Sequence, residues 1–504
     1  MNGLATHLPI LPVLLPLLAG IVLLALRNAP LALQRGLSLA ATAALVPLAF
    51  ALLAGAADGT QLVYKLGNWD APFGIVLVAD RLAAWMLMAT ALVALFALLH
   101  ALRGSDTQGR HFHVLYQLQL FGLNGAFLTG DLFNLFVFFE ILLLASYGLL
   151  LHGGGRLRVK AGLHFVVINL AGSTLFLFAV GTLYGVAGTL NMADLAVKLA
   201  RTPPGNLALV ETAGLLLFGV FALKAALLPL HLWLPAAYAH TSAPVAALFA
   251  IMTKVGAYSI LRVTSLMFGA DAGALANLLA GWLMPLALAT LVAGMLGALA
   301  STALRQQIAY LTIASVGTLL AAFALGSVDG IAAGLYYLPH TTFATAALFL
   351  LAEPIARARG ACADRFEPGP AMPGAAVLGG LFFVAAMAMA GLPPLSGFLG
   401  KFMLLRAALE SPWLTWMWGA VLAGGLAGVI ALARSGSLLF YRTQSSTEVL
   451  PVPRAADWLP AGALLLLLAD MVVWADPLAR YATATAAQLL APQAYIDAVL
   501  GARP

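Results

Sequence analysis

Two things are scarce in this chain: cysteine and charge. Cys362 is the single cysteine among 504 residues, which excludes an intrachain disulfide and any thiolate cluster for a metal or iron–sulfur centre. Asp, Glu, Lys and Arg together make up 9% of the residues against 62% hydrophobic. A soluble domain carries roughly 25% charged residues and has no core able to hide so much apolar surface. A Walker A phosphate loop, a dinucleotide fingerprint after a strand and a nucleophile elbow are all missing. Nucleotide-driven pumping and covalent catalysis therefore have no equipment here; no enzyme activity and no cofactor are expected. The net charge of +6 does not point to nucleic acid, because the basic residues sit in short connections between apolar runs, as membrane orientation requires. What remains is an all-α polytopic membrane protein whose first partner is the lipid bilayer.

About 20 apolar residues cross the ~30 Å hydrocarbon layer. Runs of that kind lie at roughly 8–26, 36–56, 80–102, 112–130, 132–151, 162–187, 208–236, 243–268, 275–300, 307–326, 331–352, 372–408, 414–440 and 457–475, which predicts about fourteen transmembrane helices. The first run has no basic residue before it and is read as a retained helix rather than a cleaved signal. Arg27, Arg35, Arg103, Arg110, Arg156, Arg158 and Lys160 follow the first, third and fifth runs; Arg305, Arg357, Arg359, Arg365, Arg442 and Arg454 follow the ninth, eleventh and thirteenth. The other connections hold Asp58, Asp70, Asp131, Asp271, Asp329 and Glu410, with Lys198 and Arg201 the exceptions. By the positive-inside rule the odd connections are cytoplasmic and both termini face the periplasmic side. The alanine-rich tail from Asp476 to Leu500 is too polar to span; it reads equally as an amphipathic surface helix or a frayed end.

Two of the runs are broken. The seventh contains "LKAALLPLHLWLP" with Pro229 and Pro235, and the twelfth contains "AGLPPLSGFLGKF" with Pro393, Pro394, Gly397 and Gly400. Proline removes a backbone donor, and irregular backbone at membrane depth survives only where protein or a wet cavity surrounds it. Broken helices at matching places in two halves point to an inverted-repeat transporter. The expected division is residues 1–110 (helices 1–3), 111–270 and 271–442 (two inverted five-helix repeats, helices 4–8 and 9–13), and 443–504 (helix 14 and tail).

Charges stand beside these breaks. Lys224 precedes the first, Lys401 follows the second, and Lys254 lies within the eighth run. A charge at the bilayer centre costs at least about 2.5–3.5 kcal/mol. Snorkelling relieves that near helix ends, as expected for Arg262 and Arg406, but Lys224 and Lys254 lie too deep. Glu140, the only acidic residue in "LFNLFVFFEILLLASYGLLL", follows the helix start by about 13 Å at 1.5 Å per residue. A Glu–Lys pair at ~4 Å in an effective dielectric of ~20 interacts by about 4 kcal/mol. With the carboxylate close, Lys224 keeps its proton; with it distant, burial favours the neutral amine and the proton leaves. The pair is a proton switch, and the proline break gives water access to it. His340, in the middle of the eleventh run, is a relay candidate because imidazole titrates near neutrality; His231 and His240 follow the first break as secondary candidates. The spacing of the three histidines matches no metal-site pattern, so no metal is expected.

The segments "DLFNLFVFFEILLLASYGLLLHG", "FALKAALLPLHLWLPAAYAHTSAPVAALFAIMTK", "YYLPHTTFATAALFLLAE" and "GLPPLSGFLGKFMLL" together resemble the antiporter-like membrane subunits shared by Mrp-type multisubunit cation/proton antiporters and respiratory complex I. The likeness runs over roughly residues 1–475, and "GNWDAPFGIVLVADRLAA" is most similar to the D-type subunits of the Mrp antiporters. The resemblance implies a fourteen-helix fold with two inverted five-helix repeats in the bacterial cell membrane. It implies proton-carrying roles for Glu140, Lys224, Lys254, His340 and Lys401, other membrane subunits as partners, and exchange of protons for a monovalent cation, sodium first. Relatives carry a lysine about a turn after the histidine where this chain has Ala344 and Thr345, which leaves His340 to link the path towards Lys401. The competing reading is a proton-pumping arm of a complex I-like quinone reductase or membrane-bound hydrogenase, with the energy supplied by redox partners.

Overall fold

A computed structural model describes residues 6–444 and 450–501. Each of the fourteen apolar runs is helical. The elements are α1 (Leu11–Ala25), α2 (Leu31–Gly55), the hairpin strands β1 (Leu62–Lys65) and β2 (Val76–Ala79), α3 (Arg81–Ala101), α4 (Phe112–Leu128), α5 (Leu132–Leu151), α6 (Arg156–Ala187), a short α7 (Met192–Leu199), α8 (Leu207–Ala225), α9 (Trp233–His240), α10 (Ala243–Phe249), α11 (Met252–Met267), α12 (Ala280–Ala300), α13 (Leu304–Ala324), α14 (Val328–Ala358), α15 (Ala375–Ala390), α16 (Ser396–Ala407), α17 (Leu414–Gly436), α18 (Ala455–Val473), α19 (Ala475–Leu490) and α20 (Gln493–Leu500). Among the described residues, eleven spans are long and apolar enough to cross a membrane; α1, α4 and the broken α15–α16 rod are shorter. The chain is a multi-pass membrane protein. The expected 443–504 segment includes residues 445–449, which lie outside the described residues.

The rods are buried unequally, and that inequality locates the site. The spans Ala243–Met267 and Val328–Ala358 are buried along their whole apolar windows, against 33% for Leu31–Gly55 and for Ala455–Val473. The long helix α14 is the axis, touching α3, α10, α13, α16, α18 and α19. On one face the basic connections are tied together by main-chain contacts: Leu304 N–H donates to Asp364 O and Gly369 N–H to Arg442 O. On the other, the β1–β2 hairpin, the strand-like bridge Asp131–Asn191 and α7 close the rod ends.

The structure resolves the tail: α19 and α20 are amphipathic helices laid against the chain. Ala482, Ala486, Leu489, Ile496 and Val499 face inward, the Tyr481 ring stacks on Trp85 at 5.3 Å, and Gln488 Nε2 donates to Gly59 O at 3.0 Å. Arg262 departs from the expectation of snorkelling. It is buried, with Nη1 and Nη2 donating to the two carboxylate oxygens of Asp80 at 2.6 and 2.7 Å, and its guanidinium lies 5.4 Å from the Tyr495 ring of α20. A fixed guanidinium fork matches a carboxylate bidentately, so a partner on α3's N-cap makes reaching for water unnecessary. Asp80 also accepts from Ala83 N–H at 2.9 Å, capping α3. One buried ion pair thus joins α3, α11 and the tail.

Removing one member of a buried pair strands the other charge, at about 3–5 kcal/mol. Arg262→Ala is therefore expected to lower the melting temperature of the solubilised chain sharply, whereas Arg406→Ala, at an exposed site near the end of α16, changes stability by less than about 0.5 kcal/mol. Equal melting shifts for the two variants would contradict the assignment.

Candidate functional site: charged side chains at gaps in the helical ladder

The seventh rod breaks where the sequence places it. Ala226, in the left-handed region (φ 59°), ends α8, and Leu227 N–H reaches back to Ala222 O at 2.8 Å. Pro229 prevents resumption until α9. The freed backbone groups are taken by protein: Leu228 N–H donates to Thr290 Oγ1 at 2.9 Å, and Trp233 Nε1 donates to Leu223 O at 3.0 Å. Lys224, in the last turn of α8, is buried, and its Nζ donates to Asn169 Oδ1 of α6 at 3.0 Å. Beside it a cavity of 10 Å³, lined by Asn169, Lys224, Trp233, Met252 and others, has room for about one water.

Glu140 does not pair directly with Lys224. Its Oε1 accepts a hydrogen bond from Ser173 Oγ, one turn after Asn169 on the same face of α6. The carboxylate stays within electrostatic range of Lys224. Helix α6 therefore offers each member of the expected pair its own neutral polar partner and holds the two apart. Asn169 and Ser173 were missed by sequence reasoning; two polar residues at i, i+4 in "VVINLAGSTLF" are the signal that marks them.

Lys254 follows an interruption that has no proline to announce it. At Ala250 and Ile251 the ladder tightens, Ala250 N–H bonding to Ala247 O at 3.2 Å, and Tyr238 Oη donates to Phe249 O at 2.7 Å. Lys254 is fully buried, and its Nζ has no hydrogen-bond partner among the described residues. Gly256 brings α11 against α8: a Cβ there would stand 2.4 Å from Ala225 N. The helices bearing Lys254 and Lys224 touch at that point.

His340 lies next to Pro339 inside α14. The missing proline N–H frees Leu335 O, which accepts from Trp85 Nε1 at 3.0 Å. The His340 ring is buried, Nδ1 contacts Ser396 Oγ at 2.9 Å, and both Lys254 and Lys401 lie within its electrostatic range. At the second break Gly391 ends α15 at φ 79°, and Lys401 Nζ donates to the terminal carbonyl of Ala390 at 2.7 Å. A cation is favoured there because that carbonyl has no partner within its helix and carries the negative end of the helix dipole. Lys401 and Glu140 are partly exposed on the rod surfaces, whereas Lys224, Lys254 and His340 are enclosed. His231 is partly buried after the break, with Nδ1 unpartnered among the described residues. His240 ends α9 on the basic face, its carbonyl accepting from Arg158; neither joins the others by a described side-chain bond.

Such an array, with four titratable groups at ladder gaps, defines a multi-pass helical bundle that holds ionisable side chains inside the bilayer. Residues 129–427 match the family model of the NADH:quinone oxidoreductase/Mrp antiporter transmembrane region, and the chain belongs to that family. It is 45% identical, over 98% of both chains, to the D subunit of a probable K(+)/H(+) antiporter of Rhizobium meliloti (strain 1021). It is 37% identical to the D subunit of the Na(+)/H(+) antiporter of Bacillus subtilis (strain 168), over 97% of this chain and 99% of the relative. Among solved structures, a chain of the Mrp complex from Dietzia sp. DQ12-45-1b superposes with a TM-score of 0.86 at 29% identity, covering 99% of this chain and 100% of that one.

Gly397 tests how tightly His340 is held. A Cβ at Gly397 would lie 2.3 Å from Ala388 O and 2.7 Å from His340 Nε2, whereas at Gly425 the nearest atom is Lys401 Nζ at 4.0 Å. Overpacking of the first kind costs typically about 1–3 kcal/mol. Thermal unfolding is expected to show a clear loss for Gly397→Ala and none for Gly425→Ala.

Proposed function

We propose that this chain is a membrane subunit of a multisubunit antiporter, carrying protons while the assembly moves a monovalent alkali cation the other way. The observation that carries the reading is the set of titratable residues on separate rods. Glu140 and Lys401 are partly exposed on rod surfaces, and Lys224, Lys254 and His340 are enclosed on α8, α11 and α14. Sodium was the expected cation; the relatives named above are potassium and sodium antiporter subunits, and the proposal covers both ions.

In the arrangement described, Lys224 rests on Asn169 and Glu140 on Ser173. A proton reaching Lys224 is retained when Glu140 swings in, and released towards Lys254 when Ser173 takes the carboxylate back. His340 passes it on, since a neutral imidazole accepts at one nitrogen and donates at the other. Lys401 delivers it at the second break, where a sibling subunit would receive or couple it. The basic face is the cytoplasmic one, and both termini lie on the opposite, periplasmic face. Rods four to eight and nine to thirteen form the inverted repeats, the broken rod being the fourth of each block.

Antiport is read as cation-induced proton flux in membrane vesicles carrying the whole assembly. Glu140→Ala and Lys224→Ala are each expected to abolish it while the assembly still forms. Lys401→Arg should fail as badly as Lys401→Ala, because arginine stays protonated. Near-normal flux in any of these overturns the role given to that residue.

Asn169→Asp is a sharper test of the switch. It sets a permanent carboxylate against Lys224, worth about 4 kcal/mol at ~4 Å in an effective dielectric of ~20, and should trap the proton there. Flux is expected to fall more than a hundredfold, with Asn169→Gln far less affected. Equal activity of the Asp and Gln variants counts against the switch.

A further inference from the structure

A second polar site lies on the basic face, among α1 to α4 and away from the buried lysines. The connection after α1 and the connection between α3 and α4 enclose a cavity of 690 Å³ lined by Arg27, Gln34, Asp106, Arg110, His111 and His113, among others. Helix α4 opens into it with no side-chain cap; the residue before it, His111, is in the left-handed region (φ 62°). The first N–H groups of such a helix have no intrahelical partner and point at whatever sits there. His113, in that first turn, is 3% exposed, and its Nδ1 is unpartnered among the described residues while Nε2 contacts Asp106 Oδ2 at 3.3 Å.

Asp106 does not make the cavity acidic. Arg35 binds it bidentately at 2.6 and 2.8 Å. Burial opposes its charge, but the hydrogen bonds from His113 and Arg35 outweigh burial and hold its carboxyl down at about 2. With Arg35 spent on Asp106, the guanidiniums of Arg27 and Arg110 have no ion-pair partner among the described residues. The other arginine-lined cavity on this face, between Arg103, Arg357 and Arg454, differs: Asp457 bonds Arg103 at 3.3 Å and approaches Arg357 at 3.9 Å.

We infer that the cavity at the start of α4 binds a phosphate ester, with the headgroup of an anionic phospholipid as the source its position favours. Two guanidiniums and uncapped helix N–H groups are the donors for phosphate oxygens, and the buried His113 ring, whose Nε2–H goes to Asp106, adds Nδ1 as a donor only in its imidazolium form. The lipid source follows from the rim: Leu31 lines the cavity, and Leu24, Leu31 and Leu33 are exposed along α1 and α2, an apolar track for acyl chains leading from the site.

The test titrates the detergent-solubilised full chain, wild type and Arg27→Gln/Arg110→Gln, with phosphatidylglycerol and separately with inorganic phosphate, reading thermal stabilisation. Phosphatidylglycerol is expected to stabilise the wild type, with half-saturation about tenfold weaker in the variant, and inorganic phosphate to do little. Stabilisation by inorganic phosphate that the variant loses supports the same site with a soluble phosphate ester as ligand. No stabilisation of the wild type by either, or equal stabilisation of wild type and variant, overturns the site. If the glutamine variant does not fold, Arg27→Lys/Arg110→Lys keeps the charge but loses the fork. Half-saturation two- to fivefold weaker then supports the site, and an unchanged value overturns it.

Discussion

Lys224, Lys254, His340 and Lys401 each stand where the helical ladder has been opened. Lys224 comes just before the gap at Ala226–Pro229, and Lys254 just after the one at Ala250–Ile251; His340 follows Pro339, and Lys401 binds the last carbonyl of α15. The constraint behind this is elementary. A regular helix uses up its own backbone polar groups, so it offers a buried ammonium or imidazole nothing but side chains. Opening the ladder frees carbonyls and N–H groups at membrane depth, where each must find a partner inside the protein. Thr290, Trp233, Tyr238 and Trp85 supply those partners at the first three gaps, and Lys401 does so itself at the fourth. At the last gap the charged side chain and the freed backbone group satisfy each other directly.

This explains what was legible in the sequence. Fourteen apolar runs, and breaks announced by Pro229 and Pro393–Pro394, follow from period and proline chemistry, and the rods lie where those signals put them. The candidate residues were found because a charge in an apolar run is expensive and so stands out. The interruption before Lys254 was invisible because its cause, the phenol of Tyr238 on Phe249 O, is a tertiary contact between residues of two different rods. Arg262 was misread for the same reason: near a helix end, snorkelling and pairing look alike in sequence, and the deciding partner, Asp80, is 182 residues away.

The short polar residues of α6 were the costlier omission. Charge and depth argue for a direct Glu140–Lys224 pair, and a strong one. Such a pair would be a poor switch, because an interaction of about 4 kcal/mol that is always made holds its proton indefinitely. Asn169 and Ser173 change the balance by giving each charged group a neutral alternative in the same place. An amide oxygen satisfies an ammonium hydrogen without carrying a full negative charge, so in the proposed switch Lys224 keeps a partner while the distance of Glu140 sets its grip on the proton. The hydroxyl of Ser173 does the same for the carboxylate.

Helix α6 is itself one of the more exposed rods, with 39% of its apolar window buried. Its packing against α5, α8 and α9 is confined to one side. In the proposed switch, the residues that hold Glu140 and Lys224 apart thus lie on a rod whose other side is exposed. Were a partner to shift this helix, Asn169 and Ser173 would move together, because they are one turn apart on the same face. Such a shift would change the distance between Glu140 and Lys224 without touching either. On the proposed function, coupling between subunits would then need no chain of charged groups crossing the boundary: a shift of one helix by a fraction of its diameter would alter which partner each charge prefers.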